Sequence, residues 1–208
     1  SGAAQFMARR TAGRIVRNAA SLAGNTMLVL KHIAERTGEP FPSDLFTTLI
    51  AIETSIEYLE VGATGDGNVR RLPAEQLLDA VIKDASYADR IVLLAYSIPL
   101  GGPEEVVLAQ KVAQRDVNAH SIVNSTTLFQ FSSGVQVGRV ALVFGGIAPF
   151  PWHARKTEAA LVNRALSMHD AGKLSQILAE EVRDELHRWA RRMEGLPSEG
   201  FTDEYRIE

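Results

Sequence analysis

Whatever chemistry this sequence carries rests on one run of small residues and a few isolated polar side chains. The run is Arg17-Asn18-Ala19-Ala20-Ser21-Leu22-Ala23-Gly24-Asn25-Thr26-Met27. Small residues such as Ala20 let a ligand come close to the backbone, and Gly24 adopts φ > 0 without a Cβ penalty. Ser21 and Asn25 place side-chain donors and acceptors beside exposed backbone N–H groups. A loop of this kind cradles a phosphate or another polar ligand. The same residues also suit a plain tight turn between a helix and the next element. Asp44, after Pro42-Ser43, reads either as a helix cap or as an acceptor for a ligand hydroxyl. Lys111, in Leu108-Ala109-Gln110-Lys111-Val112-Ala113-Gln114-Arg115, reads either as a solvated strand lysine or as a cation beside a polarised ligand ring.

Other chemistries have no support. The histidines His32, His120, His153, His169 and His187 are scattered, with no ligand-pair spacing, so neither a metal site nor a catalytic residue is expected. No Gly-x-Ser-x-Gly elbow, Walker loop or Gly-x-Gly-x-x-Gly fingerprint occurs. Without cysteine the chain can hold no disulfide, thiolate zinc site or iron–sulfur cluster. A net charge of −3 gives no electrostatic case for nucleic acid or an anionic membrane as partner. No apolar run approaches the ~20 residues a spanning helix needs. The first residues lack the pattern of a secretory signal and an initiator Met, which leads us to expect a cytoplasmic chain cut from something longer.

The elements that must hold these residues follow from periodicity and breakers. A short helix is expected over residues 3–14, then the small-residue run as a loop, an apolar run over 27–33 and a polar loop over 35–40. A helix over 44–50 is capped by Ser43 or Asp44. A half-buried strand over 52–61 leads to a glycine-rich turn over 62–68, and Pro73 opens a short helix over 73–78. Strands are expected over 91–98, 104–113, 121–131 and 135–144, with Ser132-Ser133-Gly134 as a hairpin turn and Gly145-Gly146-Ile147 as another turn. Helices over 155–168 and 174–193 precede a loose tail over 195–208. The class is α+β, with a soft division near residues 101–104.

In their order along the chain, these stretches resemble the flavin domain of the molybdenum hydroxylases, the xanthine dehydrogenase and aldehyde oxidase family. Residues 17–25 are similar to the family's Arg-Asn-x-Ala-Ser-(Val/Leu)-Gly-Gly-Asn segment, and Pro42-Ser43-Asp44-Leu45 to its Pro-x-Ser-Asp-Leu. Ile91 to Pro99 resembles the Ile-Leu-x-x-x-x-Ile-Pro strand, and Lys111 to Arg115 with Ile122-Val123-Asn124 the Lys-x-x-x-Arg strand and its sequel. Gly145-Gly146-Ile147-Ala148 is similar to the Gly-Gly-(Met/Ile)-Ala turn before the C-terminal helices. The resemblance implies an antiparallel or mixed sheet subdomain of a PCMH-type FAD-binding domain, here residues 1–102. A CO dehydrogenase flavoprotein-like subdomain would follow over 103–194, a small antiparallel sheet with a C-terminal helical bundle.

The function it implies is electron transfer. FAD would take electrons from 2Fe-2S clusters, themselves fed by a molybdenum cofactor, and pass them to NAD or oxygen. The metal centres would sit on other domains or subunits of the same enzyme, and a homodimer is a possible assembly. By position, Ala20, Ser21, Gly24 and Asn25 would approach the FAD pyrophosphate, and Asp44 the ribityl or diphosphate region. Leu93 would pack on the flavin ring, with Lys111 near its reactive edge. Several departures bear on this. Ala23 stands where the family usually has glycine, residues 31–40 look inserted, and Asn118 and His120 stand where many members have an Asp-Ile-Ala segment. The family's first flavin subdomain, with the other glycine-rich loop, has no counterpart in the sequence. A module that keeps the fold and has lost FAD is therefore the alternative reading.

Overall fold

A computed structural model describes residues 2–35, 41–62, 64–116, 118–192 and 202–208. Its centre is a helix of eight residues, α4 (Asp44–Ala51), of which only Leu45 is not buried. Ser43 caps it: its Oγ accepts from the Phe46 amide at 3.1 Å. Thr47 and Thr48 turn their hydroxyls back onto the Ser43 and Asp44 carbonyls, and Thr48 also bonds Thr126 at 2.8 Å. Polar residues are thus tolerated in a buried helix because each finds a partner.

Two antiparallel sheets pack around this centre. The first has the order β2-β1-β3, formed by β1 (Ser55–Val61), β2 (Gly67–Pro73) and β3 (Ile91–Ser97). The second runs in sequence order through β4 (Glu105–Ala113), β5 (Ser121–Ser133), β6 (Gln136–Gly145) and the two-residue β7 (Trp152–His153). Every strand pair is antiparallel, so the sheets are not mixed. The break between the sheets falls at residues 98–104, but the main core does not divide there. Phe46, Leu49 and Ile50 of α4 share one buried cluster with Ile56 and Tyr58 of β1 and with Leu128, Ala141 and Val143 of the second sheet. The hairpin at Ser132-Ser133-Gly134 forms as expected, with Ser133 opposite Gln136 and Gly134 at φ 54°.

Several local expectations are corrected. The helix over 3–14 is two helices, α1 (Gly2–Arg10) and α2 (Arg14–Ala19), parted by a turn in which Ala12 has φ 48°. Residues 17–27 do not form a loop, because α3 (Leu22–Glu35) begins directly after Ser21. Burial of Val29 and Leu30 against the core outweighs the breaker character of Gly24 and Asn25. Of the suspected insertion over 31–40, residues 31–35 are the end of α3 and 36–40 lie outside the described residues. Residues 67–73, taken as turn and lead-in, are strand β2, and the helix after Pro73 is the longer α5 (Ala74–Lys83).

The helix over 155–168 stops as α6 (Arg155–Leu161). Beyond it, backbone groups of Asn163 and Arg164 bond Val137 on the edge of β6 at 2.8 Å, which supplies those edge groups with partners. The last long helix is α7 (Ala171–Arg192). Its Glu181 reaches the amino end of α6 and accepts from the Lys156 and Thr157 amides at 2.8 Å, where Ala154 offers no side-chain cap. In place of a wholly loose tail, α8 (Asp203–Ile207) returns to the body, with Arg206 donating to the Gly146 carbonyl and Ile207 packed beside Val182 and Leu186.

One polar cluster ties the two sheets together. Glu158 of α6 accepts from the Leu142 amide at 2.7 Å and is bonded to His153 Nδ1 at 2.8 Å and Arg155 at 3.0 Å. Arg155 also pairs with Glu75 of α5, on the side of the first sheet. Burial alone would push the Glu158 carboxyl up, but the bonds from His153 and Leu142 and the charge of Arg155 hold it below its ordinary value.

Two predictions follow from this packing. At Gly146 the backbone has φ 90°, and an added Cβ would lie 2.2 Å from the Ile122 carbonyl oxygen. Gly146→Ala should cost about 2 kcal/mol or more of unfolding free energy, read by urea denaturation. Because the folded-state pKa of Glu158 is depressed, its stabilising effect is complete above the unfolded value and is lost as pH falls through the folded one. The stability gap between wild type and Glu158→Gln should therefore shrink on acidification below about pH 4.3, the ordinary glutamate range. A gap that stays constant from pH 7 to pH 3 would refute this role.

Candidate functional site

The fold brings three of the sequence-selected residues, Asn25, Asp44 and Lys111, to one cavity of about 330 Å³. Its other walls come from the Thr11-Ala12 turn, Val16, Phe41, Pro42, Ser43 and residues 118–121. Asp44 is the first residue of α4 and caps nothing itself, since that role belongs to Ser43. Lys111 is neither solvated nor isolated. Its Nζ lies 2.7 Å from Asp44 Oδ2, and the two side chains are 3% and 6% exposed.

The pair is fully built in. Lys111 also donates to the Arg10 carbonyl at 3.1 Å and the Ala119 carbonyl at 3.0 Å, which uses all three ammonium hydrogens. The Arg10 carbonyl ends α1, so the ammonium sits at the negative end of that helix. Asp44 Oδ1 accepts from Asn124 Nδ2 at 2.9 Å and from the Ser121 hydroxyl. Gly145, opposite Asn124 in the β5–β6 pairing, leaves room for that amide: a Cβ at position 145 would lie 2.7 Å from Asn124 Oδ1. The glycine pair 145–146 thus positions the partner of Asp44 as well as making a turn.

The small-residue run meets this cavity through a helix end. Ser21 precedes α3 and its Oγ accepts from the Gly24 amide at 2.9 Å. Gly24 is therefore helical, and a Cβ there would come within 3.1 Å of the capping oxygen. The first amides of α3, at Leu22 and Ala23, have no partner within the helix, as at any helix start, and they follow the exposed Ala20 and Ser21. One turn on, Asn25 Oδ1 accepts from the Ser43 hydroxyl at 2.6 Å, which locks α3 to the cap of α4. Tyr96 of β3 holds the other side of α3 by donating to Thr26 at 2.9 Å.

Leu93 is placed apart from this group. It lies on β3 opposite Tyr58 and packs against the main core. Residues that the sequence reading did not single out complete the site. Arg17 donates to the Thr11 and Ala12 carbonyls at 2.9 and 2.7 Å and so fixes the turn that forms one wall. Ser121 and Asn124 are both buried on β5, three residues apart across a register shift in its pairing with β4, so period-two alternation does not mark them as one pair.

The site thus joins a helix amino end to a cavity floored by a buried ion pair. A helix amino end offers free amides to an anion. The cavity beside it has the already paired Asp44 and Lys111 in its floor and Asn25 at its side, among the apolar surfaces of Val16, Phe41 and Ala12.

The comparisons with known proteins bear on the family and the fold. Residues 109–190 match the CO dehydrogenase flavoprotein C-terminal domain. The chain is 28% identical over 176 residues to aldehyde oxidase 4 of Rattus norvegicus, across 84% of its own length and 12% of that protein. It is 32% identical over 157 residues to xanthine dehydrogenase of Emericella nidulans, across 75% of its length and 10% of that protein. Among solved structures, a carbon monoxide dehydrogenase from Hydrogenophaga pseudoflava aligns with TM-score 0.60 and 18% identity, covering 88% of this chain and 61% of the other. Quinoline 2-oxidoreductase from Pseudomonas putida 86 aligns with TM-score 0.62 and 16% identity, covering 98% and 60%. The chain belongs to the molybdenum hydroxylase family and corresponds to the C-terminal portion of its FAD-binding domain. It spans about one-eighth of the aldehyde oxidase relatives and about three-fifths of the solved flavoprotein chains.

Lys111→Met removes the counter-charge and leaves a buried carboxylate unpaired. It should cost about 3–5 kcal/mol in urea unfolding. Asp44→Asn in the same background should recover a large part of that loss, since it removes the stranded charge. Equal destabilisation in the single and double variants would show that the pair is not the reason for the cost.

Proposed function

We propose that this chain is the portion of an FAD-binding electron-transfer domain that holds one wall of the flavin site in a xanthine dehydrogenase-like molybdenum enzyme. The observation that carries the reading is the convergence of Asn25, Asp44 and Lys111 on one cavity beside the amino end of α3. In this reading the α3 amides, with Ala20, Ser21, Gly24 and Asn25, approach the pyrophosphate of FAD and nearby groups, and Asp44 meets the ribityl or diphosphate region. Lys111 lies at the edge of the ring, where its positive charge favours the electron-rich state of the flavin even though its hydrogens are already committed. Leu93, a ring-packing residue by resemblance, does not line this cavity and has no part in this reading.

Residues 1–102 are then the remaining part of the FAD-binding subdomain and residues 103–194 the CO dehydrogenase flavoprotein-like subdomain. FAD supplies a two-electron relay from 2Fe-2S clusters and a molybdenum cofactor on other domains or subunits to NAD or oxygen, in the cytoplasm. The rest of the pocket would come from those parts of the enzyme.

One observation favours a second reading, a module that keeps the fold without FAD. The Asp44–Lys111 network is complete within the chain and does not need a ligand to satisfy the lysine. The native enzyme with its partner domains separates the two. Its flavin absorbance should fall several-fold in Ser21→Ala/Asn25→Ala, whereas wild-type protein without flavin, or a variant with full flavin content, would support the second reading.

A further inference from the structure

The cavity over the Asp44–Lys111 pair is lined in part by two rings that no part of the flavin reading has used. Phe41 and His120 both line it. Their centroids are 6.0 Å apart and their planes stand at 82°, so the two rings form a corner. Phe41 is held from behind by His32 at the end of α3, with centroids 5.4 Å apart, and this supports the ring without occupying the cavity. His120 is exposed, and it also lines a second cavity of about 450 Å³ with Gln114, Arg115 and Ile122. The 118–121 segment is therefore a thin partition between the two spaces, and His120 is its ring-bearing residue.

The partition is held firmly where it meets the buried pair. Lys111 donates to the Ala119 carbonyl, Ser121 donates to Asp44, and Arg115 donates twice to the Asn118 carbonyl, at 3.0 and 2.6 Å. Residues on both sides of His120 are thus fixed by hydrogen bonds, while the imidazole itself is not needed to hold them. An exposed ring on a fixed backbone is a surface that a flat ligand can use with little ordering cost. Aromatic side chains attract a second ring by stacked or edge-on contact, and an imidazole can do so without a hydrogen bond to its partner.

We propose that His120 and Phe41 are the aromatic wall against which the planar ring of the bound ligand packs, with the Asp44–Lys111 pair as the floor. This rests on the proposed flavin site, and the ligand class is an isoalloxazine. The sequence departs from the family pattern at position 120, so the wall is a property of this chain's own residues.

The test uses the native enzyme, stripped of FAD and titrated with it, with flavin fluorescence quenching and the visible absorption envelope as readouts. His120→Ala should weaken FAD binding about three- to tenfold, the range that one aromatic contact supplies. It should also sharpen or shift the flavin bands, because a neighbouring ring has gone. His120→Phe should restore both. Phe41→Ala should act in the same direction, and its thermal unfolding midpoint serves to report any loss of fold. Unchanged affinity and spectrum in His120→Ala, while Ser21→Ala/Asn25→Ala loses flavin, would overturn the aromatic wall and leave the flavin site standing. Failure of the wild-type enzyme to take up FAD would instead overturn the flavin reading itself.

Discussion

The ion pair between Asp44 and Lys111 is the interaction on which the rest of the arrangement depends. Two opposite charges withdrawn from water cost several kcal/mol each, and their attraction offsets this only if the remaining lone pairs and protons find partners. Here they do: the ammonium meets the carbonyls of Arg10 and Ala119, and the carboxylate meets Ser121 and Asn124. Satisfying the pair therefore fixes the end of α1, the start of α4, the edge strand β4, the 118–121 segment and the start of β5 relative to one another. These are the elements that enclose the cavity. The site is a consequence of the electrostatics that hold the fold, and it is preorganised for the same reason.

A helix with almost no exposed surface makes this possible. Because α4 supplies both Asp44 at its amino end and the core residues Phe46, Leu49 and Ile50, the charged pair and the apolar core are rigidly linked. Asn25 extends the link to α3 through Ser43, so the amino end of α3 is registered against the cavity. On the far side, Glu158 with His153 and Arg155 joins α6 to Glu75 of α5.

How much of this was legible in the sequence varied with the physics involved. The long strands of the second sheet and the hairpin between β5 and β6 were plain, because Val, Ile, Thr and Phe alternate there and Gly134 fits the turn. Strand β2 was not, since its residues are nearly all exposed and carry no alternation; it exists because β1 pairs with it. The start of α3 was read as a loop because Gly24 and Asn25 are poor helix formers, and only burial further along the helix overrides that. Asp44 and Lys111 each read as either a structural or a ligand-facing group, and the resemblance implied the second. Their mutual pairing was invisible because 67 residues separate them and nothing in local spacing reports a contact of that range. Arg17 was hidden for a related reason: its role is to bond backbone carbonyls, which leave no trace in residue types.

The central claim is that the cavity over this pair is where the flavin ring sits. A crystal structure of the native enzyme with FAD bound tests it most directly. The account predicts the isoalloxazine between the Thr11-Ala12 turn and residues 118–121, in contact with the Asp44–Lys111 pair, and the diphosphate at the amino end of α3. A flavin seated elsewhere, with this cavity closed over the intact pair, would contradict it.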